Sequence, residues 1–374
     1  MLSLLLSFII TCNPPELSKD TAEFAAAVYQ EIDDADNAVF SPYSLFSCLS
    51  MVFTGAAENT AWEMHKALQL SISQKALPRE YSKLREGLAS DEFQIANALW
   101  ADVDTVLLSD FSHTLKDNYD AKFQALDFSK TANAVSIINE WTANQTHGKI
   151  EKLLEDSDID SLTRLVLTNA VYFKGDWSFP FSASLTAPQP FYVSADKVKE
   201  VPMMKNTARF PYYENDQVQV LGLPFKSGKT ACLIILPKEG EAVSFSAPLF
   251  KEWACSLASE RVAVTLPSFS IKSRFAMNDV LEHLGMKEAF TEKANFSGMD
   301  GMRDLYLSKV VHEALFILNE TGVVAAAATA APMNATGALE KKPPIPFKAD
   351  RPFLFMIIDL KTQTPLFLGK LQDP

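Results

Sequence analysis

Five histidines are spread over the 374 residues: His65, His113, His147, His283 and His312. A zinc hydrolase needs two of them one helical turn apart, with a glutamate between. His312-Glu313 begins that pattern, but the residue four after His312 is Phe316, so the second ligand is missing. No Gly-x-Ser-x-Gly elbow exposes a nucleophilic serine. Gly228-Lys229-Thr230 resembles the end of a phosphate loop, yet Gly222 lies one residue too far upstream, and the segment reads as a hairpin tip. No dinucleotide fingerprint follows a strand. Cys12, Cys48, Cys232 and Cys255 form no Cys-x-x-Cys pair, which argues against structural zinc. Cys48 sits in an apolar helical pattern and Cys232 in an apolar strand pattern, so both read as buried small hydrophobes, and no disulfide framework is implied. The expectation is a protein that is not an enzyme and uses no cofactor or metal.

A different chemistry is written into residues 320–339. They begin Glu320-Thr321-Gly322-Val323-Val324, continue through Ala325, Ala326, Ala327 and Ala328, and carry no charge from Thr321 to Leu339. The alanines favour helix. Gly322, the β-branched valines, Pro332 and Gly337 oppose it. Such a segment is either a linker or a strand that lacks a place in a sheet. As a strand, its alternate faces would be Val323, Ala325, Ala327, Thr329, Ala331 and Met333 against Val324, Ala326, Ala328, Ala330 and Pro332. Neither face would bury a charge, and Gly322 supplies a bend.

The elements around this segment are those of an ordinary globular chain, 48% hydrophobic and 21% charged. A net charge of −12 argues against nucleic-acid binding. The most basic stretch, residues 75–85, is diluted by Glu80 and reads as a solvated face, giving no sign of a heparin site. Helical periodicity marks residues 18–32, 45–56, 60–68, 77–87, 109–119 and 130–145. Strands are expected at 93–101, 165–173, 191–193, 201–204, 218–225, 230–236, 262–266, 269–272, 310–318, 352–358 and 365–370, with helices at 250–257 and 277–284. Helices grouped towards the N-terminus and strands towards the C-terminus make the fold class α+β.

Residues 1–16 stand apart from the single domain expected over 17–374. Residues 2–11 are apolar but too short to span a bilayer. They resemble a signal-peptide core without its positive leader. Cys12 after an apolar run also resembles a lipoprotein processing site. The expectation is a secreted or surface-anchored protein, with an uncleaved tail on a cytoplasmic one as the alternative.

Several segments in order resemble the serpin family of protease inhibitors. They are Asn37 through Ser44 (Asn-Ala-Val-Phe-Ser-Pro-Tyr-Ser), Gly55 through Ala61, Asn139 with Trp141 and Thr146 through Ile150, Leu167 through Trp177, Val311-His312-Glu313-Ala314 running into Glu320-Thr321-Gly322, Pro352 through Phe355, and Pro365 through Lys370. The resemblance covers residues 17–374. It implies three β-sheets, eight or nine helices and an exposed reactive loop. It also implies suicide inhibition: a serine protease attacks the loop and is acylated by it, and the loop then inserts into the main sheet and distorts the enzyme.

By the resemblance, Glu320 through Ala328 are the hinge. Ser41, Pro42, Ser44, Asn169 and His312 are the shutter where the sheet opens, and Trp177 marks the breach where the hinge first enters. Valines replace the family's usual Thr-Glu at 323–324. Counting from Glu320 places the reactive bond at Thr336-Gly337. Counting back from Phe347 places it at Leu339-Glu340, and Lys341-Lys342 is a third candidate. The hinge count is preferred, because it fixes the length of strand inserted. Thr336 would suit an elastase- or subtilisin-like protease; a cysteine protease is a further candidate target. The protein is expected to be a monomer. The alternative reading is a non-inhibitory serpin acting as carrier, chaperone or storage protein.

Overall fold

A computed structural model describes residues 12–32, 36–88, 92–241, 244–323 and 342–374. The N-terminal third supplies α1 (Glu16–Ile32), β1 (Ala38–Phe40), α2 (Pro42–Phe53), α3 (Glu58–Ala67), α4 (Leu77–Leu88), β2 (Phe93–Asp102), α5 (Ser109–Thr114), β3 (Lys122–Leu126) and α6 (Thr131–Gln145). The middle supplies β4 (Leu165–Phe173), β5 (Gly175–Asp176), β6 (Ala187–Ser194), β7 (Lys197–Glu214), β8 (Val218–Pro224), β9 (Thr230–Pro237) and α7 (Ala247–Cys255). The rest is β10 (Ala258–Pro267), β11 (Phe269–Ala276), α8 (Asn278–His283), α9 (Ser297–Asp300), β12 (Leu307–Leu318), β13 (Gly322–Val323), β14 (Ile345–Lys348), β15 (Phe353–Asp359) and β16 (Pro365–Leu371).

Among the described residues, hydrogen bonding gathers the strands into a seven-stranded and a nine-stranded sheet. Two of the three sheets implied by the resemblance are continuous, because β7 runs unbroken for 18 residues and serves both. The sequence hinted only at its middle, since the solvent-facing residues on both sides hide its period. In the seven-stranded sheet the order is β3-β2-β4-β12-β13-β5, with β11 on the other edge of β12. β4 and β12 pair in parallel from Leu165 to Tyr172, a closed seam down the middle of that sheet.

α2 lies beneath the seam. Ser41 caps it, accepting from Ser44 N, and Pro42 starts it. All twelve of its residues are buried, as a helix that is apolar on every side requires. α6 covers the opposite face of the sheet, where Trp100, Ile138, Val166 and Val311 form a second apolar cluster. The helix expected over 109–119 is present, with its last turn widened to π geometry over Leu115–Tyr119. No helix among the described residues is long and apolar enough to cross a membrane.

One sequence expectation is overturned. Cys12 is disulfide-bonded to Cys255 at the end of α7, 243 residues away. No local motif announces this pair, because only the packing of α1 beside α7 brings the two together. The bond also occupies the sulfur that lipid attachment would need. Cys48 and Cys232 are free and buried, as expected. Residues 1–11 lie outside the described residues.

Candidate functional site

At the upper end of the seam the chain reverses on itself. Asn319 Oδ1 accepts from Thr321 N at 3.0 Å, Thr321 Oγ1 at 2.8 Å and Gly322 N at 3.2 Å, while Asn319 N donates to Gly322 O at 3.0 Å. This turn feeds Gly322 and Val323 straight back into the sheet. Val323 pairs with Leu318 of β12 on one side and with Gly175 of β5 on the other; Gly322 pairs with Asp176. Val323 is fully buried. A short wedge of strand is therefore already seated where β4 and β12 diverge.

Trp177 closes this end. Its backbone N donates to Thr321 O and its indole Nε1 to Asn319 O, both at 2.9 Å. Its ring stacks on Phe225 with centroids 4.7 Å apart. Phe181 N donates to Glu320 O at 2.9 Å, and Thr186 Oγ1 donates to the Glu320 carboxylate at 2.8 Å. Glu320, Thr321, Gly322, Val323 and Trp177 are thus brought together. Val324 through Ala328, with Thr336 and Gly337, lie outside the described residues.

Midway along the seam sits a buried polar cluster. His312 of β12 and Asn169 of β4 are register partners, and His312 Nδ1 lies 2.5 Å from Asn169 Oδ1. His312 Nε2 accepts from Ser41 N at 3.0 Å, so Nδ1 carries the proton and donates it to Asn169. Asn169 Nδ2 donates to Ser44 Oγ at 2.6 Å, to Ser44 O at 3.1 Å and to Asn97 Oδ1. Ser41 Oγ donates to Leu366 O at 2.6 Å. Burial drives the imidazole pKa down from 6.5 to about 3 and keeps it neutral. Ser41, Pro42, Ser44, Asn169 and His312 are all present here. Sequence reasoning missed Asn97, whose amide bridges Asn169 to Ser47 Oγ at 2.8 Å; an asparagine inside the apolar run of β2 was its signal.

Towards the lower end a strap between α6 and β4 crosses the seam. Asn139 of α6 holds it, accepting from Leu153 N at 2.9 Å and Leu154 N at 2.8 Å and donating to Leu154 O at 2.9 Å. Asp158, its side chain 9% exposed, is paired with Lys309 of β12 at 3.1 Å and with Arg274 of β11. The Arg274 and Lys309 charges, with the backbone N–H of Glu155, outweigh burial and hold the Asp158 carboxyl below the usual range.

The described residues hold no cluster of His, Cys, Asp and Glu suited to a metal. What the arrangement offers is a seam between two parallel strands, a wedge at its top, a neutral polar cluster in its middle and an ionic clasp lower down. The family model described as "Serpin (serine protease inhibitor)" matches residues 19–374, and the chain belongs to the serpin family. An uncharacterized serpin-like protein of Thermococcus kodakarensis is 38% identical over 362 residues, covering 94% of this chain and 84% of its own. The leukocyte elastase inhibitor of Bos taurus is 34% identical over 381 residues, covering 96% and 100%. The solved structure of a highly specific serpin from the insect Tenebrio molitor has a TM-score of 0.86 at 29% identity, covering 96% and 98%.

Proposed function

We propose that this chain inhibits a serine protease as a suicide substrate. The protease cleaves the loop that follows Val323, at Thr336-Gly337, and is carried away, still acylated, as the loop enters the seam. The observation that carries this reading is Val323, buried between Leu318 and Gly175. The insertion has its first rung in place before any cleavage.

The same register supports the rest of the path. In an antiparallel strand each further residue meets a partner one position earlier. Ala325 would lie opposite Phe173, Ala327 opposite Val171 and Ala331 opposite Leu167 on β4. Thr329, the one polar side chain on that face, would fall opposite both Asn169 and His312, the only buried polar pair along that line among the described residues. Pro332 would stand opposite Val166, one rung from the end of β4, so its missing N–H costs a single bond at the far end. Thr336 would emerge opposite Leu162, just beyond the sheet, which favours Thr336-Gly337 as the bond cleaved.

Insertion breaks one ladder, between β4 and β12, and forms two. About ten added bonds at about 1 kcal/mol each give on the order of 10 kcal/mol, before apolar burial. The bovine relative is named for inhibiting an elastase, and Thr336 suits a protease with a small S1 pocket. Incubation with elastase-, subtilisin-, chymotrypsin- and trypsin-like enzymes tests the reading. An SDS-stable complex is expected, with the released C-terminal peptide beginning at Gly337. Cleavage by every enzyme without a complex would overturn it.

A further inference from the structure

β4 and β12 run in step from Tyr172 against Leu315 down to Val166 against Lys309. There Ser308 bulges out of the ladder, and Leu307 becomes the partner of Leu165. The bulge is held from the side of α8. Asn278 donates through Nδ2 to Ser308 O at 3.1 Å and accepts through Oδ1 from Val310 N at 3.0 Å. A bulge re-aims a side chain, and Ser308 Oγ reaches across the seam to accept from Arg164 N at 2.9 Å. Two residues earlier in each chain segment, Tyr306 Oη donates to Leu162 O at 2.9 Å.

Two side-chain hydroxyls thus close the foot of the seam. Arg164 belongs to the β2 side, since its O accepts from Asp102 N at 3.0 Å and its guanidinium pairs with the Asp102 carboxylate at 3.2 Å. The hydroxyl bonds therefore join one half of the sheet, β2 with β4, to the other, β12 with α8. A serine hydroxyl can swing to another rotamer while its strand stays in place, which a ladder carbonyl cannot do. Arg164 can be released without unpicking the bulge from Asn278.

The register fixes where these bonds act. A strand entering in line with Val323 would place Pro332 between Val166 and Lys309, the last pair in step. Met333 would meet the bulge at Ser308, Asn334 would stand at Arg164, and Thr336 at Leu162. A strand that ends at Pro332 leaves both hydroxyl bonds in place. One that reaches Thr336 must break both.

We propose that Ser308 and Tyr306 form a latch at the foot of the seam, which divides strand entry into two stages. The first fills the seam down to Pro332. The second, Met333 to Thr336, proceeds only when both hydroxyls release the β4 side. This rests on the strand-insertion reading above and adds the positioning residues that decide whether insertion is completed. A loop that stalls at the latch leaves its protease short of the end of the sheet. Water then cleaves the ester between the protease serine and the Thr336 carbonyl, giving a free carboxyl on Thr336 and active enzyme.

Two acetylated peptides with the sequences of residues 324–332 and 324–336 test the latch on the full chain, with no protease present. Annealing is followed by a dye on each peptide and by the rise in melting temperature. Ser308→Ala and Tyr306→Phe are each expected to speed annealing of the longer peptide about fivefold, the rate equivalent of one hydrogen bond. The shorter peptide keeps its wild-type rate in both variants. Ser308→Thr, which retains the hydroxyl, restores slow entry of the longer peptide, an outcome that general loosening of the sheet would not give. With a protease, Ser308→Ala lowers the number of inhibitor molecules consumed per enzyme trapped. Variants that speed both peptides alike, or neither, overturn the latch and leave strand insertion standing. If neither peptide anneals to the wild type, the insertion reading fails and the latch falls with it.

Discussion

Gly322 lies against Gly175 so closely that a Cβ on Gly322 would overlap the Gly175 carbonyl oxygen. The contact is backbone to backbone, and the turn at Asn319 leaves Gly322 no slack to retreat. Gly322→Ala therefore expels the wedge or strains it, at an overpacking cost of about 1–3 kcal/mol. The expected outcome is a lower melting temperature and faster amide exchange at Val323 and Leu318. An unchanged exchange rate there would show that the pairing tolerates a side chain.

Val323→Arg attacks the same rung differently. Val323 has no exposed surface, and no acidic side chain among its strand partners Leu318 and Gly175 can neutralise an arginine. Burying an unpaired charge costs several kcal/mol, so the wedge cannot seat and insertion is slowed. The variant should be cleaved as a substrate. Its SDS-stable complex, measured against the wild type with the same protease, should fall at least about tenfold.

The two ends of this site differed in how far they could be read from sequence. The helix and strand patterns placed most elements to within a few residues, because amphipathic periodicity and caps are local. Gly322 and Trp177 could be named through family resemblance, but nothing local states that Gly322 is already a strand residue. That depends on the Asn319 turn and on the gap left where β4 ends at Phe173. Asn97 and Ser47 lie on two separate elements, and only the packing of α2 against β2 aligns their polar atoms. The same holds for Asp158, Arg274 and Lys309. Cys12 and Cys255 were legible as residues but not as a pair.

His312 gives the protein a pH dependence of known sign. Its folded pKa of about 3 lies below the ordinary 6.5, because burial disfavours the charged ring. Between these values the unfolded chain binds a proton that the folded chain refuses. Stability from this group is full above pH 6.5 and falls as pH drops towards 3, by about 1.4 kcal/mol per unit in the middle of the window. Urea midpoints of the wild type and His312→Gln, compared from pH 7.5 to 4.5, should converge on acidification. A constant difference would show that the ring does not titrate in this way.

The Cys12–Cys255 bond closes a sequence separation of 243 residues. Chain-entropy arguments put its contribution at up to about 5 kcal/mol for a loop this long. In denaturant, two thiols should react with a thiol reagent before reduction and four after it, since Cys48 and Cys232 are free. Cys255→Ser should lower the melting temperature. Four reactive thiols without reduction would exclude the bond.

Asp158 joins elements that the proposed strand insertion would separate. The strap that carries it is continuous with β4, yet its carboxylate is anchored to Lys309 on β12 and Arg274 on β11. Admitting one strand moves β4 and β12 apart by about 4.8 Å, a distance neither ion pair survives while the strap stays in place. The clasp must open, or the strap must leave α6, before the lower half of the seam can fill. Charge-assisted bonds of this kind contribute about 1.5–3 kcal/mol, which falls on the closed sheet and not on the inserted one. Asp158→Asn keeps the shape and removes the charge. It should speed exchange of the strap amides over residues 153–163, and it should speed sheet opening on warming, followed through Trp177 fluorescence. If both rates match the wild type, the clasp does not restrain the seam.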